Sequence, residues 1–200
     1  MKILAWNCSG LGKPHAVRAL QQLLKVQCPD MVFLCETKLC ESDPNLKSKL
    51  CSNILLNYHL VNCAKANGKR SGGLAMLWKS DVNLTILNFS ERYIDYYISC
   101  SITNIKWYAT GFYGFLTHNE KHKSCDLIKN ISNSHQHDNW LIFGDFNIVL
   151  NSDEKLGGNP IENTIADNFH NTLNTCNLTD LGYIGNKFTW ANNQANLYHI

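Results

Sequence analysis

The first part of the chain alternates between short apolar runs and a segment of helical periodicity. The runs at residues 2–8 and 31–35 have the length of strands, and the second is apolar throughout, as expected of a strand covered on both faces. Between them, Val17, Leu20 and Leu24 recur at the spacing of one helix face. The order strand, helix, strand predicts an α/β protein.

The middle of the chain has the period of antiparallel strands. Ile94, Tyr96 and Ile98 alternate with less apolar residues such as Asp95, which predicts a half-buried strand with residues 107–113 as its hairpin partner. Further patterns predict a turn at Thr103-Asn104, strands at residues 74–78 and 188–190, and a buried strand at residues 140–143. Helices are predicted after Pro44, over residues 120–131 and along Ile161, Ile165, Phe169 and Leu173. Together they indicate a mixed sheet or two packed sheets, with functional residues in loops at strand ends.

Composition narrows the class of protein. Apolar residues make up 44% and charged residues 17% of the 200 residues, the latter below the usual quarter, and this mixture indicates a globular rather than a disordered chain. No apolar run approaches the ~20 residues of a membrane-spanning helix, and the first residues are too polar for a secretory signal. We therefore expect a protein that is outside the membrane, not secreted, and nuclear or cytoplasmic. A net charge of +2 and a pI near 8.0 permit a phosphate-rich partner without requiring one.

Nine cysteines form no recognisable framework. Their number is odd, no Cys-x-x-Cys occurs, and the closest pair is Cys35 and Cys40. Several lie beside apolar stretches, where a free cysteine packs as a small hydrophobe. We expect reduced, buried thiols rather than disulfides or a zinc site.

The candidate chemistry lies where predicted strands end. Gly144-Asp145-Phe146-Asn147 directly follows one strand and sets a carboxylate and an amide two residues apart. Asp145 can accept a proton or bind a metal-bound water, and Asn147 can donate to a phosphate oxygen. The same residue types also form Asx-type turns, and for this segment alone both interpretations stand.

Two other strands also end in polar side chains. Glu36 follows the apolar run at residues 31–35, and Asn7 ends the first strand. A carboxylate that emerges from a buried strand suits a hard cation such as Mg²⁺, and the alternative is a solvated strand-end glutamate. Because adjacent strands gather their ends at one edge, Asn7, Glu36 and Asp145 together predict a site that none of them predicts alone.

Four segments follow one another in one order: Trp6-Asn7-Cys8-Ser9-Gly10-Leu11-Gly12, then residues 29–38, then Gly72-Gly73-Leu74-Ala75, then Gly144-Asp145-Phe146-Asn147. As a series they resemble the endonuclease/exonuclease/phosphatase family. More narrowly, residues 111–114, 154–158 and 180–190 resemble the endonuclease domains of plant non-LTR (LINE-type) retrotransposons. The resemblance covers residues 1–200 as one domain. It implies a two-sheet α/β sandwich with helices on the outer faces.

The resemblance also implies roles, residue by residue. Glu36 matches the principal metal-binding carboxylate, and Asn7 matches the amide that helps to hold the metal and phosphate region. Asp145 matches the carboxylate at the metal that aligns or activates the attacking water, Asn147 its partner at the phosphate, and Tyr113 the tyrosine that contacts the scissile phosphate. The implied cofactor is Mg²⁺ or Mn²⁺, which neutralises developing charge while a base delivers water. The implied partner is DNA, and no protein partner is implied.

The chain also departs from the family pattern. The family continues after the Phe-Thr-Trp segment with Arg-Leu-Asp and Ser-Asp-His segments, and neither occurs in these 200 residues. His137-Asp138 precedes a strand and is interpreted as a solvated loop. We therefore expect a C-terminally truncated domain that lacks its last strands, with an impaired or inactive site. The alternatives are a non-catalytic nucleic-acid-binding remnant and a phosphatase or phosphodiesterase acting on a small phosphoester.

Overall fold

The computed structural model describes residues 1–51, 55–99, 106–136, 139–157 and 163–189. The strands are β1 Ile3–Asn7, β2 Met31–Cys35, β3 Leu55–Val61, β4 Ala64–Ala66, β5 Lys69–Ser71, β6 Leu74–Lys79, β7 Leu84–Phe89, β8 Tyr93–Ser99, β9 Lys106–Tyr113 and β10 Trp140–Asp145. The helices are α1 Pro14–Gln27, α2 Leu46–Leu50, α3 Lys121–Ser132 and α4 Asn163–Thr175. Within a few residues, these bounds confirm all the predicted helices and every predicted strand except the one at residues 188–190.

Two four-stranded sheets form the core of one unit, which comprises Met1–Tyr113 and His137–Asp145. The first sheet has the order β1-β2-β6-β3 and the second β10-β9-β8-β7. They share an apolar core in which Phe33 and Met76 of the first sheet pack with Ile94 and Tyr96 of the second. Gly111 of β9 makes room for this packing, because a Cβ there would lie 2.4 Å from the ring of Phe33. The predicted two-sheet α/β architecture is confirmed.

The apolar character of every residue in β2 has a simple cause. Alternate residues of the strand face opposite ways, so Phe33 enters the core between the sheets, whereas Val32 and Leu34 pack with Leu20 and Leu24 of α1. Each of these apolar side chains contributes about 1.5–3 kcal/mol when it is fully buried. The helix therefore covers the outer face of the first sheet, as predicted.

Asp95 is an exception to the predicted half-buried pattern of β8. The alternation places it on the open face of the strand, yet its side chain is only 5% exposed, so that prediction is wrong. The hydroxyl of Thr110 on β9 donates to Asp95 Oδ1 at 2.6 Å, and Trp140 Nε1 of β10 donates to the Thr110 hydroxyl at 2.8 Å. A carboxylate can be buried there because the Thr110 hydroxyl donates to it in place of water, and the bond from Trp140 orients that hydroxyl toward Asp95.

Two further predictions need correction. The strand predicted as buried at residues 140–143 is only partly buried, because β10 has a single neighbour, β9, in its sheet. The strand predicted at residues 188–190 is absent at Phe188 and Thr189, which are exposed and lie outside any sheet. An apolar β-type pattern forms a strand only where a second strand is available for pairing.

The other unit comprises Gly114–Gln136 and Phe146–Ile200. In it α3 and α4 pack together: Cys125 and Ile128 of α3 are buried, as are Phe169 and Thr172 of α4. The ring of Phe146 meets Phe169 edge to face, with the centroids 5.5 Å apart. The predicted helix face is thereby confirmed around Phe169.

Some predicted features lie outside the described residues: the turn Thr103-Asn104, His137-Asp138, Gly158, Ile161 and Trp190. Among the helices of the described ranges, none is both long enough and apolar enough to cross a membrane.

Candidate active site

Two parallel strand pairs bring polar side chains to matching strand ends. Asn7 at the end of β1 pairs with Cys35 at the end of β2, and Asp145 at the end of β10 pairs with Tyr113 at the end of β9. The amide Nδ2 of Asn7 donates to Asp145 Oδ2 at 3.0 Å, which joins the two sheets at this edge. Glu36 follows Cys35 directly, so four of the five predicted site residues occur at the carboxyl ends of strands.

Glu36 and Tyr113 form the second contact between the sheets. The phenol of Tyr113 donates to Glu36 Oε1, and Lys38 Nζ lies 3.4 Å from Glu36 Oε2. Burial, and after it the hydrogen bond to Glu36 and the charge of that residue, raises the pKa of Tyr113, and Asp145 adds to the effect. Tyr113 therefore keeps its proton at neutral pH and acts as a hydrogen-bond donor.

The backbone at Glu36 adopts a conformation that non-glycine residues rarely take. Its φ is +57°, in the left-handed region, and the structure holds it there through the next two residues. Thr37 N–H donates to Gly73 O and Lys38 N–H to Gly72 O, both at 3.0 Å. A Cβ at Gly73 would lie 2.7 Å from Thr37 Oγ1, which explains why glycine is required there. This backbone conformation starts the Glu36 side chain toward the strand ends, and its contacts with Tyr113 and Lys38 orient the carboxylate.

Two buried thiols lie beside the strand-end carboxylates. The Cys8 thiol donates to Cys35 O at 3.2 Å, and both side chains are almost fully buried. Burial raises the pKa of Cys8 to about 11, and burial together with the charge of Asp145 raises the pKa of Cys35. Both thiols are therefore protonated at neutral pH, and both are buried as expected from the sequence.

The oxygen atoms at this edge suit a hard divalent cation. Within the described ranges, no group of three or more His, Cys, Asp or Glu side chains is arranged as a metal site. Glu36 and Asp145 nevertheless supply two carboxylates, and Asn7 supplies an amide oxygen. Mg²⁺ is commonly held by one or two carboxylates and several waters, so this donor set fits such an ion. Protonated thiols do not compete for it.

Lys38 and Arg92 are neighbours of the site that the sequence reasoning missed. Lys38 forms the ion pair with Glu36, and its position two residues further along the chain is the signal that could have identified it. The Arg92 guanidinium lies 5.7 Å from the ring centroid of Tyr113, and Arg92 O accepts from Tyr113 N at 2.7 Å. No sequence signal marks Arg92, because its proximity depends on the register between β8 and β9.

Asn147 belongs to the second unit. It has a φ of +55°, which asparagine tolerates, and its Nδ2 donates to Gly114 O at 3.0 Å. This contact joins residues 33 positions apart and is not that of an Asx-type turn, so it supports neither interpretation of the Gly144-Asp145-Phe146-Asn147 segment, and the role of Asn147 at a phosphate stays a prediction. A cleft of about 220 Å³ in the same unit is lined by His118, Lys121 and His122 among others.

Sequence comparison identifies the family. A model described as "Endonuclease/Exonuclease/phosphatase family" matches residues 4–197. The chain belongs to the endonuclease/exonuclease/phosphatase family. Members of the endonuclease/exonuclease/phosphatase family generally use divalent metal ions, in agreement with the oxygen-rich strand ends. A comparison with curated protein sequences found no match.

Several solved structures have the same fold as this member of the endonuclease/exonuclease/phosphatase family. The endonuclease domain of TRAS1, a telomere-specific non-LTR retrotransposon, is 12% identical, with a TM-score of 0.67 over 98% of this chain and 80% of that one. The AP endonuclease LMAP from Leishmania major is 15% identical, with a TM-score of 0.64 over 88% of this chain. The 3′ phosphatase NExo from Neisseria, bound to a product DNA hairpin, is 20% identical, with a TM-score of 0.59 over 87% of this chain and 70% of that one. In the comparison with LMAP, this chain spans only 66% of the length of the Leishmania protein chain.

Proposed function

We propose that this chain is a Mg²⁺-dependent (or Mn²⁺-dependent) DNA phosphodiester hydrolase domain that originates from a plant LINE-type retrotransposon. The observation that carries the proposal is the pair of contacts Asn7–Asp145 and Glu36–Tyr113, which unite residues from four strand ends. The resemblance of residues 111–114 and 180–190 to plant retrotransposon endonucleases supports the narrower origin.

Each residue has a role that follows from its chemistry. Oxygens of Glu36, Asp145 and Asn7 would hold the cation, which supplies neutralisation of the charge that develops on the phosphate. Asp145 accepts a proton from the attacking water, and the carboxamide of Asn7 keeps that carboxylate oriented by donating to it. Tyr113, which retains its proton, donates to a phosphate oxygen once the substrate displaces its contact with Glu36.

We propose further that these 200 residues bind cation and DNA but cleave DNA slowly. They contain no Ser-Asp-His segment, which in the family supplies the histidine that polarises the phosphate. Because catalytic groups act as a unit, the loss of one of them lowers the rate by several orders of magnitude.

A plasmid assay tests the function. Purified protein is incubated with supercoiled plasmid and either Mg²⁺ or Mn²⁺, while calorimetry measures Mn²⁺ binding and a gel-shift assay measures DNA binding. We expect Mn²⁺ and DNA binding, with nicking that is weak and abolished by Asp145→Ala. Asp167→Ala, on the exposed face of α4, is the matched control and should retain all three properties.

The possible outcomes separate the alternatives. Rapid nicking that disappears in Asp145→Ala would contradict the impairment and keep the enzyme class. Cation and DNA binding with no detectable nicking would indicate the non-catalytic nucleic-acid-binding remnant. Turnover of small phosphomonoesters or phosphodiesters in place of plasmid would indicate the phosphatase alternative. Protein that binds neither Mn²⁺ nor DNA would refute the proposal.

A further inference from the structure

Cys40 and Cys63 place their thiols next to each other inside the first unit. Their sulfur atoms are 3.1 Å apart, and each residue is only 7% exposed. Cys40 lies in the segment that follows Glu36, and Cys63 lies two residues after the end of β3, with 22 residues between the two cysteines. Both are free thiols in this structure. The sequence alone does not predict this pair, because the two cysteines are not in a Cys-x-x-Cys motif.

The backbone around the two thiols keeps them together. Cys63 N–H donates to Leu39 O at 2.9 Å, and Glu41 N–H donates to the Asn62 side chain at 2.8 Å. These bonds lie immediately beside the two cysteines, so the two segments stay adjacent and the thiols remain within reach of each other by side-chain rotation alone. A disulfide has an S–S length of about 2.05 Å, so the sulfurs need to approach by only about 1 Å.

We propose that Cys40 and Cys63 form a reversible disulfide that fastens the loop carrying Glu36 to the segment after β3. The oxidant is a small-molecule disulfide such as oxidised glutathione. One cysteine, as its thiolate, attacks a sulfur of that disulfide, and one thiol of the reagent leaves. The other cysteine then displaces the second reagent thiol. The protein loses two hydrogens, and the reagent is reduced to two thiols.

The disulfide would restrict the strained backbone segment at Glu36. The Glu36 backbone is held by the hydrogen bonds from Thr37 N–H and Lys38 N–H to the glycine pair before β6. A covalent bond at Cys40, four residues after Glu36, restricts the opening of this loop. Oxidation should therefore slow hydrogen exchange of the Thr37 and Lys38 amides and raise the melting temperature.

The test is oxidation of the whole chain with oxidised glutathione at mildly alkaline pH. Alkaline conditions help because burial and the Cys40 thiol raise the pKa of Cys63 to about 11. Peptide mapping under non-reducing conditions should recover a Cys40–Cys63 cross-link. For a closed loop of this length, we expect a rise in melting temperature of roughly 5–10 °C that dithiothreitol reverses.

Two variants control the experiment. Cys28→Ser removes an exposed thiol and should leave the cross-link and the melting shift intact. Cys40→Ser should lose both and leave Cys63 reduced or carrying a single glutathione. The proposal is overturned if Cys40 and Cys63 stay reduced, or carry separate glutathiones, after Cys28 has fully reacted. It is equally overturned if Cys40→Ser shows the same melting and exchange changes. Neither readout depends on phosphodiester cleavage.

Discussion

Replacing Thr110 with valine removes one hydroxyl that serves two buried partners. That hydroxyl donates to Asp95 at 2.6 Å and accepts from Trp140 Nε1 at 2.8 Å, and Thr110 itself is fully buried. Valine has nearly the same shape as threonine, so the substitution leaves no cavity. The change therefore isolates the two hydrogen bonds from packing.

The expected loss of stability follows from the two partners. A hydrogen bond to a carboxylate contributes about 1.5–3 kcal/mol, and a buried donor deprived of an acceptor costs about 1–3 kcal/mol. Trp140 is partly exposed, which favours the lower end of the second range. We expect Thr110→Val to lower the free energy of unfolding by about 3 kcal/mol, or the melting temperature by roughly 6–12 °C. Thr110→Ser keeps the hydroxyl and should lose only about 1 kcal/mol.

Urea denaturation followed by tryptophan fluorescence measures both variants against the parent chain. The decisive quantity is the difference in the free energy of unfolding between the two variants. The valine variant lacks the threonine hydroxyl, whereas the serine variant lacks only the methyl group. A valine variant as stable as the serine variant would refute the view that the Thr110 hydroxyl is what permits the burial of Asp95.

Three further outcomes are expected. Tyr96→Phe removes a buried hydroxyl that has no hydrogen-bond partner within the described residues and should raise stability by about 1 kcal/mol, and a lower melting temperature would contradict this. Glu36→Gln should weaken Mn²⁺ binding in calorimetry at least tenfold, or about 1.4 kcal/mol, whereas Glu41→Gln on the same loop should not. The Arg70 guanidinium lowers the pKa of Asp43 from 3.8 to about 2, so this pair stabilises the fold above pH 3.8 and ceases to do so as the pH falls toward 2. Arg70→Met should therefore be less stable at neutral pH, and its melting temperature should fall less across that window.

The positions of the strand ends were accessible from the sequence because β2 is apolar at all five positions and Glu36 comes directly after it. A buried strand followed at once by a carboxylate marks both an element and its functional end. The packing of the two sheets that places β1 beside β10 was not accessible, and only this packing brings Asn7 to Asp145. The order of the family motifs along the chain predicted that these residues share a site, whereas the local apolar pattern predicted only the strands.

Features that depend on register were missed for one physical reason. The burial of Asp95 depends on which β9 residue lies beside it, and the approach of Cys40 to Cys63 depends on how two loops pack. Local periodicity reports which face a residue occupies, and it does not identify the partner across the sheet. The absent strand at Phe188 is the converse case, because a suitable pattern has no partner among the described residues.

The hydrogen bond from Asn7 to Asp145 joins residues 138 positions apart. Contacts of such long sequence separation form only after the entropy of closing the intervening chain has been overcome, so this edge should assemble late in folding. On the ribosome, the first sheet can pair before residue 145 emerges, and the nascent chain then has Glu36 without its opposing carboxylate. Tight cation binding would thus report that both sheets are complete, and a bound ion would stabilise the finished topology relative to every earlier intermediate.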